Sequence, residues 1–213
     1  AMRGERAFSN DLMDKMRTGR FPPFGAIADE SPTGAFPQMP GWAASWFLYH
    51  NQLAINRLHQ AHTLQVMEPA KHRIYPERGR EMGDIPGLRT RTPYNIFARM
   101  LFPAFAKSSM KSAREQALLD LASVACALER CRVADDRYPE SLAGLTPRFL
   151  ARIPNDVVNG EPLKYRRAAE GHFILYSVGW NQQDDGGAAA MTKGKTPGPD
   201  IERGDWVWRN PSR

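Results

Sequence analysis

Arg137-Tyr-Pro-Glu-Ser-Leu142 opens, and Tyr176-Ser-Val-Gly-Trp-Asn181 closes, the stretch of sequence that decides the fold. Between them, residues 163–167 and 173–177 carry the alternating or continuous apolar side chains of two β-strands. A short connection ending in Gly171 separates these runs, so we predict an antiparallel hairpin. The side chains expected on the sheet, facing the helix or its flank, are Leu163, Tyr165, Phe173, Leu175 and Val178.

A long amphipathic helix is predicted just before this stretch, over about residues 104–133. Seven apolar or small residues recur there at spacings of three and four, which places them on one face of a helix. They are Met110, Ala113, Ala117, Leu121, Val124, Leu128 and Cys131. Such a stripe typically faces a protein core. Pro139 then stops the helix, because proline lacks an amide N–H and its ring clashes with the preceding turn.

The chain continues after the hairpin with an acidic, glycine-rich loop, Asn181-Gln-Gln-Asp-Asp-Gly-Gly187. Gly204-Asp-Trp-Val-Trp208 then has the composition of a third short strand. One long helix followed by a small antiparallel sheet predicts an α+β fold.

The N-terminal half of the chain has a different organisation. Helical patterns cover residues 4–17, 42–74 and 94–101; we expect the second to end or kink at Pro69, and the last is interrupted at Pro103. Proline and glycine concentrate at residues 19–41, 76–93 and 186–204, which we predict to be loops. We therefore expect a helical region with proline-rich loops over residues 1–103, packed on a second region over residues 104–213.

Five short segments of the C-terminal half carry a resemblance to a known family. They are Ala127-Leu-Glu-Arg130, Arg137–Leu142, Ile153-Pro154 with Asn155-Asp156, Gly160-Glu-Pro-Leu-Lys-Tyr165, and Phe173–Gly179 followed by Asp184-Asp-Gly-Gly187. In this order they resemble the soluble part of the major pseudopilins of type II secretion, over about residues 107–209. The resemblance implies a non-enzymatic structural or assembly protein of the bacterial envelope, periplasmic or elsewhere in the envelope. Such a protein binds protein partners or assembles with itself.

Pseudopilins are held in the inner membrane by an apolar N-terminal helix. A membrane-spanning helix needs about twenty apolar residues, and this sequence contains no run of that kind. The chain opens with Ala1-Met2, which resembles an expression scar. We therefore expect any membrane anchor to lie in a removed N-terminal segment.

The resemblance also implies a calcium site in the loop before the last strand, because the major pseudopilins hold calcium there with acidic side chains and backbone carbonyls. The implied ligands are Asn181, Asp184, Asp185 and Asp200. Asn181 and Asp200 occupy positions of the family motif, and the other two supply the charge that Asn181 lacks. Calcium suits such a loop because it accepts six to eight oxygens in flexible geometry. The alternative is a solvated turn in which the two adjacent aspartates bind local backbone amides.

Three tryptophans lie close to this loop, namely Trp180, Trp206 and Trp208. They could form an aromatic platform, which would make the chain a calcium-stabilised module that binds a peptide or a glycan. The alternative is that they pack the small sheet against the helix, because aromatic side chains bury a large area.

Enzymatic motifs are missing from the sequence. No serine lies in a Gly-x-Ser-x-Gly elbow, and no phosphate-binding glycine loop precedes a helix. Asp135 and Asp136 are adjacent, so their carboxylates point apart and suit a turn better than an acid–base pair. His59 and His62 share a helix face but lack the other ligands of a metal site, so we expect ordinary surface or partly buried histidines. A hydrolase assembled from distant residues stays an alternative.

Composition narrows the remaining classes. An apolar fraction of 42% and a charged fraction of 24% are ordinary for a globular protein. The net charge of +6 comes from scattered basic residues, without a stripe interleaved with aromatics, so we expect no nucleic-acid partner. Cys126 and Cys131 lie on different sides of the predicted helix, so we expect two free thiols that fill the core or a groove.

Overall fold

The computed structural model describes residues 2–18, 41–82, 84–168, 171–193 and 196–208. The chain forms two units, the first from residues 1–65 and 78–106, and the second from residues 66–77 and 107–213. Apart from Gly41, the proline-rich loop predicted at residues 19–41 lies outside the described residues.

Five α-helices and seven strands are defined in the described residues. The helices are α1 (Met2–Arg17), α2 (Gly41–Ala61), α3 (Pro76–Glu81), α4 (Pro86–Arg89) and α5 (Ile96–Asp135). The strands are β1 (Met67–Glu68), β2 (Arg73–Ile74), β3 (Lys164–Arg167), β4 (Phe173–Ser177), β5 (Ala189–Met191), β6 (Pro199–Gly204) and β7 (Trp206–Trp208). One long helix with small antiparallel sheets confirms the predicted α+β class.

In the first unit, α1 packs on α2 through a cluster of amides. The Nδ2 of Asn56 donates to Oδ1 of Asn10 at 2.8 Å, and Arg6 Nε donates to Oδ1 of Asn56 at 3.0 Å. Met13 is the buried apolar side chain of α1. The spacing of Phe8, Leu12 and Met16 predicts one apolar edge, but Phe8 is 68% exposed, so the prediction is wrong at that residue. The polar cluster and Met13 set the inward face of the helix instead.

Helix α2 ends at Ala61, so the prediction that it continues to about residue 74 is wrong. Strands β1 and β2 follow in the second unit, with Met67 paired to Ile74. The chain leaves the helix because this hairpin satisfies the backbone in another way: Tyr75 N donates to Val66 O at 2.8 Å. It also buries Val66 and Ile74. Tertiary burial thus overrides a helical pattern.

Helix α5 is continuous through Pro103, so the predicted interruption there is wrong. A proline inside a helix costs about 3 kcal/mol, because one hydrogen bond is lost and the ring crowds the preceding turn. Phe102 and Phe105 flank it and are buried, which contributes about 2 kcal/mol each and offsets that cost. His59 is fully buried beside them, with its ring 4.6 Å from that of Phe105, so it is not the surface or partly buried histidine we expected.

The apolar stripe of α5 is confirmed, because all seven predicted residues are buried. Leu121 and Leu128 belong to the core of the second unit together with Leu145, Phe173 and Leu175. Cys131 is buried as expected, whereas Cys126 is exposed because it lies on the opposite side of the helix, so its prediction as a filler is wrong. No described helix is both long enough and apolar enough to cross a bilayer.

The predicted hairpin is also confirmed. Strands β3 and β4 pair antiparallel, with Tyr165 opposite Leu175, and β7 adds to the other edge of β4. Residues 169–170 of the connection lie outside the described residues. The loop predicted at residues 186–204 is wrong in part, because β5 and β6 form a second antiparallel sheet there.

The stripe of α5 generates a stability prediction. Leu121→Asp should lower the free energy of unfolding by about 3 kcal/mol or more, because it buries an unpaired charge in the core. Glu115→Ala should cost about 0.5 kcal/mol or less, since that side chain is 68% exposed. Urea melts of both variants measure the difference, and equal midpoint shifts would show that the helix face is misassigned.

Candidate functional site

The acidic loop between β4 and β5 is held in place by hydrogen bonds to Asp184. Tyr176 donates its hydroxyl to Oδ1 of Asp184 at 2.9 Å, and Gly186 N donates to the same oxygen at 3.0 Å. Lys164 Nζ lies 3.6 Å from Oδ2. The Gly186 amide, followed by the Tyr176 hydroxyl, lowers the pKa of Asp184. Burial, with the bond to Asp184, raises the pKa of Tyr176 to about 12.

The other three predicted ligands make similar local bonds. Asp185 Oδ2 accepts a hydrogen bond from Nδ2 of Asn181 at 3.0 Å. Asp200 Oδ1 accepts one from the backbone N–H of Glu202 at 3.0 Å, two residues along β6. Each of these side chains therefore satisfies a turn or a neighbour in its own segment.

A calcium ion needs several oxygens that converge on one point. Within the described ranges, no group of three or more His, Cys, Asp or Glu side chains is placed to hold a metal ion. Asp184 and Asp185 instead accept hydrogen bonds from N–H and O–H donors of the loop. These hydrogen bonds favour the turn that was the alternative to a calcium site, and the calcium site itself stays a prediction.

Asp205, which lies between β6 and β7, binds this loop and was missed by sequence reasoning. It is buried, and its two carboxylate oxygens accept the backbone N–H groups of Asp185 at 3.3 Å and Gly187 at 2.6 Å. Its own N–H donates to Ala188 O at 3.0 Å. Burial raises the pKa of Asp205, while the two amides oppose that shift. A single aspartate between a glycine and a tryptophan carried no signal that distinguished it from the exposed acids nearby.

Asp156 plays a similar part at the C-terminal end of β4. Its Oδ1 accepts from Val158 N at 3.0 Å and from the Ser177 hydroxyl at 2.9 Å. Its Oδ2 accepts from Val178 N at 3.0 Å. Burial raises the pKa of Asp156, against these three donors. This carboxylate therefore joins the loop after α5 to the end of β4.

The three tryptophans of the predicted platform are mainly inside the second unit. Trp180 is 6% exposed and Trp206 is 4% exposed, so neither ring presents a face to solvent. Trp208 is partly buried against the core. The geometry favours the alternative to the platform, in which the tryptophans pack the small sheet against the helix.

A cavity of about 210 Å³ lies in the first unit. Its lining is Met82, Asp84, Ile85, Leu88, Arg89, Arg99, Phe102 and Pro103. Arg89 pairs with Asp84, with Nε 2.9 Å from Oδ1, and lowers the pKa of that carboxyl. The cavity thus offers apolar surface and guanidinium groups, but among these lining residues there is no hydroxyl, thiol or imidazole group to act as a nucleophile.

No known protein family, curated protein or solved structure matches this chain. The pseudopilin-like interpretation of residues 107–209 therefore stays a prediction.

The role of Asp156 can be tested by mutation. Asp156→Ala should lower the free energy of unfolding by about 3 kcal/mol or more, because two buried backbone amides lose their acceptor. Asp156→Asn should also destabilise, since its NH₂ group would face one of the donors. Chemical denaturation measures both, with Asp200→Ala as the surface control. A stabilised Asp156→Asn variant would mean that the cost of the buried charge outweighs its hydrogen bonds.

Thermal melts distinguish the hydrogen-bonded turn from a calcium site. We expect melts in calcium and in chelator to coincide, because loop donors already occupy the carboxylates. A bound ion at a hundred times its dissociation constant would add about 2.7 kcal/mol. A calcium-dependent rise of several degrees that Asp200→Ala abolishes would instead support the ligand set predicted from the sequence.

Proposed function

We propose that this protein is a non-enzymatic structural or assembly protein of a bacterial envelope, and that its long helix packs against another copy. One observation carries the proposal. Along the outer side of α5, Leu119 is 65% exposed, Val133 is 77% exposed, and Cys126 between them is exposed as well. We call these three residues the helix line.

The spacing of the helix line is what distinguishes it from scattered apolar side chains. Its members are seven residues apart, which is nearly two helical turns, so each is displaced by only about 20° from the last. The line is about 21 Å long, at a rise of about 1.5 Å per residue. Residues seven apart return to the same position of the heptad by which one helix packs along another.

Burial of the opposite face of α5 lowers the entropic cost of such packing. Leu121, Val124 and Leu128 are fully buried in the core of the second unit, so the helix is held rigidly. A rigid helix loses little conformational entropy when its outer face docks. The exposed line is therefore a surface on which association costs little ordering.

The envelope location is supported by the order of elements in the second unit. A long helix, a turn, an antiparallel hairpin, an acidic loop, the β5–β6 pair and the last strand β7 follow one another, an order that resembles the soluble part of a pseudopilin. Proteins of that kind act by assembling with one another.

Thiol cross-linking tests the assembly. Cys126 lies at the middle of the helix line, so parallel and antiparallel packing both bring it near Cys126 of the second copy. Mild oxidation should give a disulfide-linked dimer on a non-reducing gel, and Cys126→Ser should abolish it. Leu119→Lys with Val133→Lys should reduce the yield at least tenfold, because charges replace the apolar contact.

The matched control is Met191→Lys, since Met191 is an exposed apolar residue of the second unit that lies on β5 rather than α5. Equal cross-linking in the helix-line variant and the control would contradict packing through this face. Fractionation of the source cells with an antibody tests the location. Recovery of the protein as a monomer in the cytosol would contradict an envelope role.

A further inference from the structure

A second exposed apolar surface lies in the first unit, whereas the helix line lies in the second. Its members are Trp42, Trp46 and Tyr49 on α2, Tyr94 just before α5, and Ile96 and Met100 on the first turns of α5. They are six of the ten large apolar side chains that are exposed in the described residues, and Trp42 reaches 76%. This concentration defines a patch, which we call the aromatic surface.

Contacts between rings join the two parts of the aromatic surface. The ring centroid of Trp46 lies 5.1 Å from that of Tyr94, with the two rings nearly perpendicular, and 4.6 Å from that of His50. His50 and Tyr94 are themselves 5.4 Å apart. The start of α2 and the loop before α5 therefore present one continuous group of rings.

Hydrogen bonds hold this group in place from beneath. The buried Asn51 donates from Nδ2 to Pro93 O at 2.8 Å and accepts at Oδ1 from Phe97 N at 3.2 Å. Asn95 donates to Gly87 O at 3.1 Å and to Thr90 O at 2.9 Å. The loop that carries Tyr94 is thus fixed to α2, so the surface is formed before any partner binds.

The charges of these segments decide which partner fits. Residues 41–65 and 85–106 contain no Asp or Glu, but they contain Arg57, Arg89, Arg91 and Arg99. Arg89 is paired with Asp84, while Arg91 is exposed in the same loop as Tyr94. A surface with exposed rings, a basic side chain and no acid in its segments is complementary to an apolar partner that carries negative charge.

We propose that the aromatic surface docks the first unit on an anionic lipid bilayer. Trp and Tyr prefer the headgroup level of a membrane, because their rings are apolar and their N–H or O–H ends are polar. Each arginine near an anionic leaflet adds on the order of fivefold in affinity. This docking does not depend on the helix line, which belongs to the second unit.

Vesicle sedimentation tests the proposal. The protein should bind phosphatidylglycerol vesicles at least tenfold more strongly than phosphatidylcholine vesicles. Trp42→Ser with Trp46→Ser and Tyr94→Ser should lose at least tenfold of that binding, and Arg91→Glu should weaken it severalfold. The single variant Trp42→Ser, at the most exposed ring, gives the same test with the least risk to folding.

The control is Phe8→Ser with Val133→Ser, which removes two exposed apolar side chains outside the aromatic surface and should bind as the wild type does. Brominated phosphatidylglycerol should quench tryptophan fluorescence less in Trp42→Ser than in the control. The proposal would be overturned if the protein did not bind the vesicles, or if the triple variant bound them as strongly as the control. A dimer that sediments in buffer without vesicles, and that only the triple variant dissociates, would also overturn the proposal. The aromatic surface would then join two copies.

Discussion

The second unit depends on the burial of one face of α5 against the sheet of β3, β4 and β7. Leu121, Leu128 and Leu175 are fully buried in that contact, and each contributes about 1.5–3 kcal/mol. A small sheet is marginal alone, and a helix in water gains most of its stability from packing. Because each element completes the other, the loops of the unit, including the acidic loop, are positioned by this contact.

Two buried carboxylates extend the sheet into its loops. Asp156 accepts hydrogen bonds from both the loop after α5 and the end of β4. Asp205 accepts hydrogen bonds from two backbone amides of the acidic loop. Burying a charge is unfavourable, and the raised pKa of each reflects that cost. The amide hydrogen bonds offset it and hold the backbone in one path. The acidic loop is thus held both by Asp205 inside the protein and by Asp184 at its surface.

The two proposed surfaces differ in the partner that their chemistry suits. The helix line repeats every seven residues along a rigid rod, which matches the regular surface of a second helix. The aromatic surface is irregular, is rich in amphipathic rings and lies on segments without acids, which matches a lipid headgroup region. The two proposals rest on different residues, so either can be overturned without the other.

Sequence alone determined the features whose signal is local and periodic: the stripe of α5, the hairpin and the α+β class. The sequence also resembled a calcium-binding loop. Asp184 and Asp205 are the same residue type and differ only in their surroundings, which the sequence does not show. Tertiary structure decided where α2 ends and whether Pro103 breaks α5, because burial of Val66, Ile74 and Phe102 outweighs local preference. It also buried Trp180 and Trp206 while leaving Trp42 in solvent, since exposure depends on what the rest of the chain places beside a ring.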